Sequence, residues 1–460
     1  MTSAAEKPDD TRQIMRYAHG APQQLTPRQR YLRYSGFKYD TFAQPNAEQE
    51  YGFSDRDTLQ IPPLDDQALV PQPDDIPPVF PRAYYVDPRY SARREGSVFD
   101  ELRAGDHALI YGEPGAGKST LRLAVETYAR AFPDGTLVVT YEPGRAVESE
   151  VAQAMAADQG AGSAATDAHL RLLAAALAVD LFIQIIEQFG FRRELPSERQ
   201  NDALCYLITT IEPRLKAVLQ RLMRGEEPTD LWGFAWLWRR LDRPVVRPVV
   251  RTPQMRDWFK ALRRPGQKPK EAPADGAALW QRALDTARLW GFGRVLVMLD
   301  GLDTYWRQPP DMLRLLDPLL GLLPAFAAQN VHLKAFLPLE LQAHVAQRLP
   351  AQGVAGDEVR VIVLSWTAER LRALVQTRYR AARSRRLSLG DLVDEADSEL
   401  YERIDDLLFE QARGNPRRLL LILHELVEAH IADPERPVER PLTRAEWEAA
   451  LVQAAARMDG

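Results

Sequence analysis

The stretch Ala108-Leu109-Ile110-Tyr111-Gly112-Glu113-Pro114-Gly115-Ala116-Gly117-Lys118-Ser119 decides how the rest of the chain is read. Four apolar residues give a short run of strand character, a glycine-rich loop follows, and beyond Lys118 the pattern turns helical. Residues 112–119 match G-x-x-x-x-G-K-[ST] in full, in the strand-loop-helix setting that gives such a match physical meaning. Glycines at 112, 115 and 117 permit backbone angles denied to other residues, so successive amide N–H groups can point inward at phosphate oxygens. Lys118 then sets an ammonium on the β and γ phosphates, and Ser119 offers a hydroxyl to Mg²⁺. The positive end of the helix that starts there favours the anion further. The competing reading is a glycine-rich turn with a chance lysine.

Working outward, four more apolar runs qualify as strands: Leu137 to Tyr141, Val295 to Leu299, Val331 to Leu337 and Val359 to Leu364. Apolar runs separated by helical sequence are the signature of a parallel sheet buried on both faces, so the fold class is α/β. The run from Arg294 ends in Asp300, placing an acid at the carboxyl end of a strand, where α/β sheets bind ligands. Asp300 is the expected Mg²⁺ partner, through water. Three residues on, Asp303 polarises the attacking water if Gly301 lets the loop fold back; a solvated loop aspartate is the alternative. A third acid is wanted at 304, and Thr304 stands there instead.

The glycine-rich loop, Leu299-Asp300-Gly301-Leu302-Asp303, and Gly414-Asn415-Pro416-Arg417 at the head of a later helix together resemble the AAA+ and STAND group of P-loop ATPases. The resemblance covers residues 81–460 apart from an insertion. It implies sheet order 5-1-4-3-2, with one strand between the two motif-bearing strands. It also implies ATP and Mg²⁺ as ligands, with the metal on Ser119 and Asp300. The nucleotide contacts it implies are Gly112, Glu113, Pro114, Gly115, Ala116, Gly117, Lys118, Ser119, Thr120 and Pro416. Catalytic roles fall on Lys118, Asp300 and Asp303, and on Arg417 or the nearby Arg413 as the cation linking a lid to the γ-phosphate. The fourth strand ends in Pro338 without the polar residue such families carry there, which leaves only Lys334 or Glu340 as a guess. No arginine finger can be assigned, and slow hydrolysis with ATP as a conformational switch suits these departures.

The organisation expected along the chain is a proline-rich extension over 1–80, an ATPase core over 81–365 interrupted by a helical insertion over 145–290, and a helical lid over 366–460. Prolines 62, 63, 71, 73, 77, 78, 81 and 88 interrupt regular structure in and just beyond the extension, while Tyr31, Tyr34, Phe37, Tyr39 and Phe42 need burial, as a strap on the core or as a docking arm. About 150 residues separate the second and third strands, far beyond a normal connection. Within them, residues 236–270 hold eleven Lys or Arg against Asp242 and Asp257, with Trp232, Trp236, Trp238 and Trp258 in or beside the segment. Such a composition suits a nucleic-acid groove, but equally a solvated strap or an intersubunit contact. The lid helices carry Thr443 and Glu446 at capping-box spacing, and His424 and His430 read as a surface and a cap residue.

The chain has 460 residues with 59 basic and 64 acidic side chains, a net charge of -5, so it is no polycation built to coat nucleic acid. One cysteine, Cys205, excludes an internal disulfide framework and fits a reducing compartment. The polar N-terminus has no signal-peptide core, and the apolar stretch Leu172 to Ile186, broken by Asp180, reads as a buried helix. The expectation is a cytoplasmic protein without a membrane span. Its function is read as a Mg-dependent ATPase that switches or assembles a separate partner, as a homo-oligomer or with an effector protein. Two alternatives stand beside it: an ATPase that binds DNA or RNA and loads another enzyme, and a nucleotide-binding scaffold without turnover.

Overall fold

The computed structural model describes residues 27–34, 86, 98–131, 135–142, 163–189, 196–212, 214–215, 253, 257–258, 275–305, 308–355, 358–381, 389–433, 435–437 and 440–459. Five strands, β1 (His107–Gly112), β2 (Thr136–Tyr141), β3 (Arg294–Leu299), β4 (Val331–Pro338) and β5 (Val359–Val363), fall on the five apolar runs. They form one sheet in the order β2-β3-β4-β1-β5, and every pairing is parallel.

The helices before β3 are α1 (Pro27–Tyr34), α2 (Val98–Arg103), α3 (Lys118–Ala131), α4 (Ser163–Phe189), α5 (Glu198–Tyr206) and α6 (Gly276–Leu289). Those around β4 are α7 (Leu302–Tyr305), α8 (Pro309–Leu320), α9 (Leu323–Ala328) and α10 (Gln342–Arg348). After β5 come α11 (Ala368–Ala381), α12 (Ser398–Ala412), α13 (Pro416–Ile431) and α14 (Arg444–Asp459).

Strands β1 to β4 are buried almost throughout because both sheet faces are covered there, whereas Arg360, Val361 and Val363 of the edge strand β5 are exposed. Ala108, Ile110, Leu296, Met298 and Phe336 face α2 and α3. Their alternates Leu109, Tyr111, Val297, Leu299 and Ala335 face a larger core built with α4, α6 and α8. Thus α4 and α6, from the segment read as the 145–290 insertion, share the sheet's own core. An apolar helix and an uncovered sheet face satisfy each other.

Helix α4 is long and apolar enough over Ala164–Glu187 to cross a membrane, yet 83% of its apolar window is buried inside the structure. Asp180 has a specific task there. Strand β2 is an edge of the sheet, and its outward backbone groups lack a ladder partner. The Thr140 N–H donates to the Asp180 carboxylate at 2.9 Å, and Gln184 Nε2 donates to the Thr136 carbonyl at 3.3 Å. One helical turn separates the two side chains, so a single helix face serves two of the edge's backbone groups.

The last four helices enclose a second core, in which α1 also takes part. Tyr31 of α1 is buried there, 4.1 Å from the His430 ring, and Arg28 pairs with Glu428. The described part of the N-terminal extension thus docks on the lid helices rather than on the sheet. Tyr34, Phe37, Tyr39 and Phe42 lie outside the residues whose side chains are described. His430 corrects a sequence expectation. It is buried, with Nδ1 3.1 Å from Glu446 Oε2, because the end of α13 lies under α14 and α1. Glu446 also accepts the Thr443 N–H at 2.9 Å, one half of the expected capping box, and an N–H of Arg440. Burial alone would raise the Glu446 carboxyl, but the hydrogen bonds from His430, Arg440 and Thr443 outweigh it and bring it down to about 2.

Two stability predictions follow from these buried carboxylates. Asp180→Ala removes the carboxylate that accepts the Thr140 N–H and should cost roughly 1–3 kcal/mol, read from urea unfolding monitored by circular dichroism. For Glu446 the folded value lies below the ordinary one near 4.5, so its contribution is complete above that pH and lost as pH falls toward about 2. Glu446→Gln should therefore be less stable at neutral pH and show a flatter acid dependence between those limits, measured by lid tryptophan fluorescence.

Candidate functional site

Because all five strands are parallel, their carboxyl ends and the loops that follow them gather on one side of the molecule. Gly112 ends β1, and the loop turns through Gly115 at φ +84° and Gly117 at φ +91° before α3 begins at Lys118. Those two glycines meet the expectation of special backbone angles. Gly112 does not have a positive φ; it is needed for room, since a Cβ there would lie 3.1 Å from the Ala116 Cβ. The Ala116 N–H closes the turn on the Glu113 carbonyl at 3.1 Å.

Lys118 is buried, and its ammonium donates to the carbonyls of Gly112 at 2.9 Å and Glu113 at 3.3 Å. The Asp303 carboxylate lies 3.4 Å away and is one-third exposed. Asp303 sits in the first turn of α7, after Gly301 at φ +79°, so the loop does fold back as the sequence suggested. Ser119 is exposed and Thr120 half-buried on the first turn of α3.

Asp300 follows β3 and is held by its own N–H on the Tyr141 carbonyl at 3.1 Å. Its Oδ1 accepts the Gly301 N–H at 2.9 Å, and its Oδ2 accepts Arg122 Nε at 2.9 Å. Arg122 is the residue that sequence reasoning missed. Four residues after Lys118, it lies on the same face of α3 and also meets Glu126 at 3.2 Å and Glu142 at 3.6 Å. Burial would lower the guanidinium's pKa, but Asp300, Glu126 and Glu142 together outweigh it and raise it, so Arg122 stays charged. The only sequence signal was the one-turn spacing from Lys118, which does not name a partner 178 residues away.

The donor set tests the implied metal. Ser119 is an exposed residue at the start of α3, and both Asp300 oxygens already accept a hydrogen bond. Among the described residues no group of three acidic, histidine or cysteine side chains could hold a metal ion by itself, so any cation here would need ligands from outside these side chains.

Lid and loop are joined directly. Asn415 Nδ2 donates to the Pro114 carbonyl at 2.9 Å, the Arg417 N–H to Gly115 at 3.3 Å, and Trp366 Nε1 to Ala116 at 2.9 Å. Asn415 is also the N-cap of α13, accepting the Arg418 N–H at 3.1 Å, and Pro416 is buried at the first helical position. The structure thus brings the backbone and Cβ of Arg417 onto Gly115, while the residue stays exposed. Arg413, at φ +49°, forms the exposed C-cap of α12.

Two other expectations are resolved differently. Lys334 points to the opposite end of the sheet, where its ammonium donates to the carbonyls of Ala104 at 2.9 Å and Asp106, just beyond α2. Burial takes its pKa down to about 7, and it has no part in the loop. Of the basic segment 236–270, nearly all lies outside the described residues. Trp258 is a core residue: it stacks on Phe182, crosses Trp290 edge-on, and donates to Asn201. Cys205 is a half-buried residue of α5 packed against the larger core and forms no disulfide.

Fold and loop together define an α/β protein with a five-stranded, all-parallel sheet and a glycine-rich loop tied to the C-terminal helices. No protein-family model matches the chain, and no curated protein matches it in sequence.

The contact between loop and lid leaves no space at Gly115. An added Cβ would sit 2.6 Å from the Arg417 Cβ and 2.7 Å from Asn415 Oδ1, on a backbone that already disfavours it. Gly115→Ala should destabilise the folded chain by about 1–3 kcal/mol and speed proteolysis at the start of α13. Asn415→Ala, which removes a cap and one loop contact, should cost about 1 kcal/mol in the same denaturant titration.

Proposed function

We propose that this chain binds ATP with Mg²⁺ and hydrolyses it slowly, as a P-loop ATPase of the AAA+/STAND type acting as a nucleotide-driven switch or assembly platform for a separate partner in the cytoplasm. The observation that carries this reading is the buried Lys118 ammonium, held on the carbonyls of its own glycine-rich loop with Asp303 3.4 Å away. A buried ammonium is costly unless it is paired, and at the head of a helix it is well placed for an anion. Read from the β5 edge, the strand order is 5-1-4-3-2, with β4 between the loop-bearing β1 and the Asp300-bearing β3. That is the order the resemblance implies, and it supports the reading.

On this reading the loop amides and Lys118 bind the phosphates, with Lys118 turning from Asp303 to the β and γ oxygens. Bound Mg²⁺ would supply charge neutralisation at those oxygens. Asp303, freed from its ion pair, is the carboxylate placed to take a proton from the attacking water. Arg417 brings a cation on the lid to the same loop. The end of β4 carries Pro338 and no polar sensor, so turnover is slow and lid movement is the output.

Calorimetry should detect ATP and ADP binding in the presence of magnesium, weakened at least about tenfold in Lys118→Ala. Phosphate release should fall at least about tenfold in Asp303→Ala while ATP still binds. Light scattering should show an assembly state that changes with ATP and not with oligonucleotides. No heat of nucleotide association with folded protein would reject the reading.

A further inference from the structure

Two peptide units of the glycine-rich loop are held from outside by side chains, and each precedes a glycine with a positive φ. The Pro114 carbonyl accepts Asn415 Nδ2 at 2.9 Å ahead of Gly115 at φ +84°, and the Ala116 carbonyl accepts Trp366 Nε1 at 2.9 Å ahead of Gly117 at φ +91°. Glycine takes either sign of φ at little cost, so the backbone alone does not fix which way such a peptide faces. Its C=O and N–H lie on opposite sides of one planar unit, and a donor that holds the carbonyl therefore settles where the next N–H points. For the peptide between Ala116 and Gly117 that donor is an indole, which has a single N–H to give.

Trp366 is itself fixed from both sides along the chain. Two residues before it, the Leu364 N–H donates to the Tyr111 carbonyl at 2.8 Å, which ties the end of β5 to the strand that leads into the loop. One residue after it, Thr367 Oγ1 accepts the Arg370 N–H at 3.3 Å at the head of α11. The ring is half-buried and packs against the core of the C-terminal helices. A Cβ added to Gly117 would lie 3.8 Å from its Cζ2, so the indole runs alongside that glycine in ordinary contact.

We propose that Trp366 is a positioning residue of the phosphate site: its indole N–H holds the peptide between Ala116 and Gly117 in one orientation and so keeps the Gly117 N–H turned away from the ring, as a donor for a phosphate oxygen. The inference rests on the ATP reading and deepens it. Without the indole N–H, the peptide is free to turn over at Gly117, and only a fraction of molecules present that amide to the ligand. Apparent affinity falls by the same fraction. Asn415 does the corresponding work on the peptide between Pro114 and Gly115, but it also caps α13. Trp366 separates the two tasks, because a phenylalanine keeps an aromatic body against the C-terminal helices and removes only the donor.

The test compares the full wild-type chain with Trp366→Phe in two measurements. Hydrogen exchange without nucleotide, followed by mass spectrometry on a peptide covering residues 113–118, reads the order of the loop; calorimetry with ATP and Mg²⁺ reads the site. Trp366→Phe should exchange this segment at least about fivefold faster, with β1 and α13 unchanged, and should bind ATP about five- to tenfold more weakly, the worth of one hydrogen bond. A side chain that only packed helices against the sheet would lower the melting temperature and leave the ATP affinity of the folded variant where it was. Asn415→Ser retains a capping hydroxyl for α13 but is too short to hold Pro114. It should show the same pair of effects, and it serves as the second variant if Trp366→Phe does not fold. Exchange of residues 113–118 at the wild-type rate in a folded variant, or ATP binding at wild-type affinity, overturns the inference. Failure of the wild-type chain to bind ATP, with faster loop exchange in the variant, would instead remove the nucleotide reading and leave Trp366 as the residue that orders the loop.

Discussion

A parallel sheet has two apolar faces to cover and two open edges, and most of this molecule follows from how it meets that requirement. One face is closed by α2 and α3, the other by α4, α6 and α8, and the β2 edge by the side chains of Asp180 and Gln184. Parallel strands also send every following loop to the same side. The glycine-rich loop after β1, Glu142 after β2, Asp300 after β3 and Trp366 after β5 are therefore brought together by topology before any side chain chooses a partner. The opposite end gathers His107, His332 and Lys334, whose hydrogen bonds hold loops and strands in place. The chemistry of the two ends differs because one receives the loops that follow strands and the other the loops that precede them.

The parts legible in the sequence are those set by local pattern. Strand positions were readable because each buried run is bounded by helix or turn sequence, and the loop because its glycines and lysine have fixed spacing. The fold-back at Gly301 was visible as a residue type suited to a tight loop, and the start of α13 was read at Gly414-Asn415-Pro416-Arg417, whereas the cap made by Asn415 was not. What escaped depends on long side chains and distant partners. Arg122 looks like any helical arginine until Asp300 is brought beside it. Lys334 shares the α3 face with Phe336, but its long chain runs to carbonyls beyond α2, which no periodicity identifies. His430 looked like a helix-end residue because nothing in α13 announces that Tyr31, some 400 positions earlier, packs against it. The layering of α4 on the sheet was hidden for a further reason: a greasy helix inside a long connection pairs with a sheet face as readily as with neighbours of its own.

The contacts between loop and lid bear on the loop's amides as well as its carbonyls. In a trans peptide the C=O and the following N–H point in opposite directions. Asn415, Arg417 and Trp366 hold the carbonyls of Pro114, Gly115 and Ala116. The next N–H groups, those of Gly115, Ala116 and Gly117, are thereby turned away from the lid. Ala116 spends its N–H on Glu113 at 3.1 Å. Lid residues at 366 and 415–417 thus orient the loop from behind, through its oxygens, without needing to reach across its front.

That geometry gives the proposed switch a physical basis. A phosphate drawn to the Gly115 and Gly117 amides would polarise the same peptide units whose carbonyls the lid holds, and a hydrogen bond made at one end of a peptide strengthens the one at its other end. Ligand and lid would then reinforce each other's grip on the loop. Linkage makes the effect reciprocal: whatever favours the docked lid favours the anion by the same factor. Helix α1 packs on α13, the helix whose first turn touches the glycine-rich loop, so residues 27–34 and that loop share one helix as a common neighbour.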